Sequence, residues 1–83
     1  MSYVYILLLA NGQLYAGLTS NLKRRVVEHK RGGSPFTSKR LPVKLIYYEV
    51  YCNKWDAVKR ERYFKTTKGK RTLQAMLRHT LHT

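Results

Sequence analysis

Acidic residues are scarce in this sequence. Glu28, Glu49, Asp56 and Glu61 face seventeen lysines and arginines, which leaves a formal charge of +13 on 83 residues. So large an excess exceeds what solubility requires and favours polyanionic partners, nucleic acid first. Cysteine is scarcer still. Cys52 is alone, so no disulfide can form within the chain, and a lone thiol without a secretory signal suits a reducing cytoplasm. Cys52 itself reads as a small buried hydrophobe. Long apolar runs are also missing: Val4 to Ala10 is too short to cross a bilayer, and neither a strongly amphipathic basic helix nor a lipidated end argues for a membrane surface. No repeat or low-complexity tract is visible, and the length allows one modest core without room for a separate binding domain. Residues 1–83 therefore read as a single domain.

Tyr3 to Leu9 is β-prone and apolar at odd and even positions alike, the pattern of a central strand covered on both faces. Asn11-Gly12 turns the chain into a second strand, Gln13 to Leu18. Thr19-Ser20-Asn21 supplies N-cap candidates for a short helix that places Leu22, Val26 and His29 on one side and ends near Arg31, before Gly32-Gly33. Ser34 to Pro42 reads as a basic loop and Lys44 to Cys52 as a third strand. Asn53 caps a second helix with Ala57, Glu61 and Phe64 within one arc, and Thr66-Thr67 interrupts it. Thr72 to Leu81 is expected to form a terminal helix through Leu73, Leu77 and Leu81. The expected fold is α/β in the α+β sense, a small three-stranded antiparallel sheet flanked by helices in the order ββαβαα.

Side-chain parity constrains what Tyr5 and Tyr15 can do together. A two-residue Asn-Gly turn would pair Leu8 with Tyr15 and send the two phenols to opposite faces of the sheet. A three-residue loop, Ala10-Asn11-Gly12, with Gly12 left-handed as a G1 bulge, pairs Tyr5 with Gly17 and Leu7 with Tyr15, so both phenols share a face. The bulged register is the one predicted. Arg25 and His29, one turn apart, flank the stripe of Leu22 and Val26 and can lean over that face. Glu61 has apolar neighbours on its own helix face and needs a cation, whereas Glu28 points outward. Lys39, Arg40, Lys44, Lys65, Lys68, Lys70 and Arg71 are the residues expected to track a phosphate backbone.

Taken in order, these segments resemble the GIY-YIG nuclease superfamily, most closely its small stand-alone bacterial proteins. Tyr3-Val4-Tyr5 stands where that family has its first tripeptide and Tyr15-Ala16-Gly17 where it has its second, with Tyr3 in place of a glycine and Ala16 in place of an isoleucine. Residues 21–29, 41–49 and 57–65 are similar to its later segments. The resemblance implies a metal-dependent endonuclease that hydrolyses phosphodiester bonds by in-line attack of water at a single-metal site, with DNA the expected substrate and RNA the alternative. Glu61 would ligate the metal, Mg²⁺ or else Mn²⁺. Arg25 would stabilise the phosphate. Tyr5 would activate the water, Tyr15 would position it, and His29 would tune Tyr5 or take the proton, the roles of Tyr5 and His29 being open to exchange. An isolated phenol titrates near pKa ~10, so Tyr5 is expected to have a depressed pKa. A stand-alone member carries no recognition domain, and a protein partner could supply targeting.

Blander readings compete at every position. Tyrosines in a small sheet protein mostly pack, and Tyr47, Tyr48, Tyr51 and Tyr63 are read so. Gly17 could simply admit a neighbour's bulk, Arg25 could be one more solvated cation, and His29 could be a hydrogen-bonded core residue. Glu61 could pair with Arg60, Arg62 or Lys65. Glu49 reads as structural, and His79 and His82 as incidental. For the whole chain the alternatives to an enzyme are a catalytically silent nucleic-acid-binding module and a basic structural protein of RNA assemblies. Tyr5, Tyr15, Arg25, His29 and Glu61 together favour the enzyme, because a silent module has no chemical need for all five.

Overall fold

The most apolar stretch of the chain becomes the middle of the sheet. In the computed structural model, which describes residues 1–82, β1 (Ser2–Leu8) turns back into β2 (Leu14–Thr19). Helix α1 (Leu22–Lys30) and a four-residue α2 (Pro35–Ser38) follow, then β3 (Lys44–Tyr51), α3 (Lys54–Phe64), α4 (Thr67–Met76) and a short α5 (Arg78–Leu81). The sheet is antiparallel throughout, in the order β2-β1-β3. Val4, Tyr5, Ile6 and Leu7 of the central strand are at most 1% exposed, because each face of β1 has its own cover. Val4, Ile6, Leu14 and Ala16 meet Ala57 and Phe64 of α3 and Leu73 of α4 on one side. Tyr5, Leu7 and Leu9 meet Leu22 of α1 and Val43 on the other.

The first hairpin takes the bulged register. Tyr5 pairs with Gly17 and Leu7 with Tyr15. Gly12 has φ of 86°, a conformation that costs a residue with a Cβ, and its N–H donates to the Leu9 carbonyl at 2.9 Å while Leu9 N–H meets the Gln13 carbonyl at 2.9 Å. A second irregularity lies between β1 and β3. Ile6 pairs with Tyr47 but Leu7 with Leu45, so Ile46 is the extra residue. Ile46 and Tyr47 consequently pack toward the same side of the sheet, with Leu45 on the other.

Caps set the helix starts. The side chains of Asn21, Asn53 and Thr66 accept from the backbone N–H of Arg24, Trp55 and Gly69, respectively. Helix α4 therefore begins at Thr67, earlier than the Thr72 read from the leucine spacing. Gly69 lies in its first turn, where a Cβ would run into the backbone of Tyr63 and Phe64. The helix breaks at Leu77, whose φ of -105° and ψ of 23° are not helical, yet Leu73, Leu77 and Leu81 all pack on the core. The stretch expected to be a plain basic loop contains α2, with Pro35 at its start. Cys52 is exposed rather than buried, next to the Met1 sulfur, because it follows the last residue of β3 where the chain leaves the sheet. Among the described residues no helix is long and apolar enough to cross a membrane.

Candidate active site

Where the Tyr5 phenol goes is decided by its cross-strand partner. A Cβ at Gly17 would overlap Cζ and Oη of Tyr5, so the ring occupies the space over the glycine and carries its hydroxyl to α1. There Tyr5 Oη lies 2.8 Å from His29 Nε2, and His29 Nδ1 lies 2.8 Å from Thr37 Oγ1 of α2. Tyr5 is 1% exposed and His29 and Thr37 are fully buried. Arg25, one turn before His29, places its positive charge near the same phenol and pulls the phenol's pKa down. The Tyr15 ring stands edge-on to His29 at 5.4 Å and stacks on Phe36 at 5.5 Å. Lys65 Nζ sits 4.9 Å from the centre of the Tyr15 ring and 3.6 Å from Glu61 Oε2. Tyr5, Tyr15, Arg25 and His29 are thus brought together on the α1 side, and Lys65 links them to Glu61 on α3.

Burial sets the proton inventory. It pushes the Tyr5 phenol above its ordinary value, outweighing Arg25, which pulls the other way, while Tyr15 and Glu61 add to the rise. The protein's own groups therefore raise the phenol, where the expectation from the sequence is that Arg25 and a bound metal together lower it, because a phenolate without solvent loses more than one guanidinium returns. Burial also pushes His29 below its ordinary value, with Arg25 adding to the effect and Glu28 opposing it. At neutral pH the phenol is protonated and the imidazole is neutral.

Among the described residues, no three or more His, Cys, Asp or Glu side chains converge as a ready-made metal cage. Glu61 is a carboxylate whose charge reaches Tyr5, and its side chain is 19% exposed. One hard, partly exposed carboxylate fits a divalent ion such as Mg²⁺, which keeps waters and takes further oxygens from phosphate. The ion pair with Lys65, one of three alternatives read from the sequence, is the competing use of the same group. Glu49 is already satisfied. Arg60 approaches it with Nε at 2.9 Å and Nη2 at 3.1 Å, and the Tyr47 and Tyr51 hydroxyls donate at 2.6 and 2.7 Å. Burial alone would raise its pKa, but Arg60 and the two phenols hold it below the usual carboxylate range. Tyr47 is in turn pushed up to about 12 by burial and by its bond to Glu49. Glu49 is structural, as its strand position suggested.

The basic residues divide by environment. Arg40 lies 4.0 Å from the centre of the Phe36 ring and donates to the Phe36 carbonyl. Lys70 donates to the Leu14 carbonyl, and burial, together with the charge of Lys65, lowers its pKa. Tyr15, Phe36, Lys65 and Lys70 line a groove of about 240 Å³. Lys39, Lys44, Lys68 and Arg71 are simply exposed. A larger groove of about 410 Å³, between Tyr51 and Tyr63, contains none of the five candidate residues. Thr37 and Phe36 were not singled out in the sequence, where they sit in a stretch without periodicity.

The chain matches the GIY-YIG catalytic domain family over residues 1–74. It is 44% identical over 75 residues to a UPF0213 protein of Clostridium perfringens, covering 89% of this chain and 81% of that one. With a UPF0213 protein of Lacticaseibacillus paracasei it shares 44% identity over 64 residues, 76% of this chain and 72% of the other. The solution NMR structure of a UPF0213 protein from Bacillus halodurans matches with a TM-score of 0.59 at 31% identity, covering 92% of this chain and 85% of that one. The family implies nuclease-type activity on nucleic acid with a divalent metal ion, and the relatives' names add nothing narrower. With family, relatives and fold in agreement, the chain belongs to the GIY-YIG catalytic domain family, alongside small bacterial UPF0213 proteins.

Proposed function

We propose that this protein is a metal-dependent endonuclease that hydrolyses phosphodiester bonds, with DNA as its substrate, by in-line attack of water. One observation carries the proposal: the buried Tyr5 hydroxyl lies 2.8 Å from His29 Nε2, on the face that also bears Tyr15 and within the fields of Arg25 and Glu61. His29 serves as the base and Tyr5 as the relay. As the water oxygen bonds to phosphorus, a water proton passes to Tyr5 Oη and the phenol's own proton passes to His29 Nε2, leaving an imidazolium. The bond from phosphorus to the leaving oxygen breaks with its electron pair on that oxygen, which is then protonated from solvent. Arg25 offsets the negative charge that accumulates on the phosphate. Tyr15, fixed by its stack on Phe36, positions the water. Glu61 would hold the divalent ion, which when bound supplies Lewis-acid polarisation of a phosphate oxygen. Lys39, Arg40, Lys44, Lys65, Lys68, Lys70 and Arg71 contact flanking phosphates.

The test incubates purified protein with plasmid, branched DNA, single strands and RNA, with Mg²⁺ or Mn²⁺, beside Glu61→Ala and Arg25→Ala. Metal-dependent cleavage of DNA that falls by about 10²-fold or more in Arg25→Ala is expected. Equal nicking by wild type and both variants overturns the proposal. Tight binding with no cleavage under either metal makes the chain a silent nucleic-acid-binding module instead.

A further inference from the structure

The buried chain from Tyr5 through His29 to Thr37 holds more chemistry than the Tyr5–His29 pair alone. A neutral imidazole carries one N–H, and the two ring nitrogens face two hydroxyls at 2.8 Å each. Two arrangements of protons satisfy those distances. Either Nδ1–H donates to Thr37 and Nε2 accepts from Tyr5, or Thr37 donates to Nδ1 and Nε2–H donates to Tyr5. The second arrangement sets Nε2–H, beside the positive charge of Arg25, against the phenol oxygen. It also turns the phenol's own hydrogen away from His29, in a site where Tyr5 is 1% exposed. The first arrangement gives that hydrogen an acceptor and leaves the oxygen's lone pairs facing the positive charge of Arg25.

The placement of Thr37 points the same way. Helix α2 is a single turn in which Thr37 is the buried residue. A valine of the same shape would fill that space as well, so packing alone does not call for an oxygen there. The oxygen stands against the one ring nitrogen that Tyr5 does not use.

We infer that Thr37 is a positioning residue: its Oγ1 accepts the His29 Nδ1–H and holds the imidazole in the tautomer whose Nε2 lone pair faces the Tyr5 hydroxyl. Its catalytic consequence rests on the nuclease proposal above, whereas the tautomer can be read without any reaction. Without the Thr37 oxygen, the single proton of the ring moves to Nε2, where Tyr5 can still accept it, and the lone pair that would take the relayed proton is lost.

The test is a two-bond ¹H–¹⁵N correlation spectrum of the labelled full chain at about pH 8, above the ordinary His value, recorded for wild type, Thr37→Val and Thr37→Ser. Melting curves accompany each sample to confirm folding. The wild-type ring should carry its proton on Nδ1, T37V should move it to Nε2, and T37S should return it to Nδ1. Single-turnover cleavage should fall at least about tenfold in T37V and recover in T37S. An Nε2–H tautomer in the wild type overturns the inference, whether or not T37V folds, and so does an unchanged tautomer in folded T37V. A wild type that cleaves nothing while its tautomer still answers to Thr37 overturns the nuclease proposal and supports the hold of Thr37 on the ring.

Discussion

Gly17 matters for the atom it lacks. Tyr5 occupies the volume that a Cβ would take, so Gly17→Ala must move the phenol, and a shift of about 1 Å at a reacting group costs about 10²-fold. Cleavage by Gly17→Ala should therefore fall by about that factor while binding of nucleic acid at low salt is kept, a split that paired cleavage and binding assays would show. His29 gives a pH prediction whose sign follows from burial. Its folded pKa lies below its ordinary value, so at mildly acidic pH the unfolded chain binds the extra proton and the folded chain does not. The contribution to stability is fully present above about pH 6.5 and is lost as pH falls toward the folded value. Urea midpoints should fall on acidification through that window, and less steeply in His29→Asn. Tyr5 and Tyr15 were legible in the sequence because their partnership depends on local parity. The direction of the Tyr5 shift was not, since it depends on how completely α1 and the sheet bury the ring. Thr37 was invisible for a related reason: its contact lies in a loop-like stretch and gains meaning only once His29 is in place.

At the scale of elements, the hairpin carries the most weight. The G1 bulge at Gly12 sets the register that puts both tyrosines on one face, and a side chain there must adopt a left-handed conformation. Gly12→Ala should cost about 1 kcal/mol, read from denaturant unfolding. This register could be read from Asn11-Gly12 and the tyrosine spacing, because turn and strands are adjacent in the chain. The bulge at Ile46 could not, since it appears only when β3 is laid beside β1. The start of α4 was hidden differently. Gly69 weakens the helical signal of its first turn, and it is there because α4 must pass close to the end of α3. Asn53, by contrast, announced α3 correctly, and its side chain caps the helix at 2.8 Å. Asn53→Ala should lower stability by about 1 kcal/mol.

Across the whole molecule, charge and assembly meet. A formal charge of +13 was plain from composition and leads to an expectation about salt: each phosphate neutralised adds about 0.9 to the slope of log affinity against log salt on duplex DNA. Replacing Lys68 and Arg71, both exposed on α4, should weaken binding and make that slope shallower by about 0.9 for each phosphate left without its cation. Assembly is the larger matter. Tyr5 faces α1 on one side of the sheet, Glu61 comes from α3 on the other, and Lys65 over Tyr15 joins the two layers. If both layers act as one catalytic unit, their losses fall short of multiplying. The most direct measurement is single-turnover cleavage by wild type, Tyr5→Phe, Glu61→Ala and the double variant. Each single variant should lose about 10²-fold or more, and the double should be no slower than the slower single. Undiminished cleavage by either single variant, or losses that multiply in the double, would contradict a catalytic unit built across the sheet.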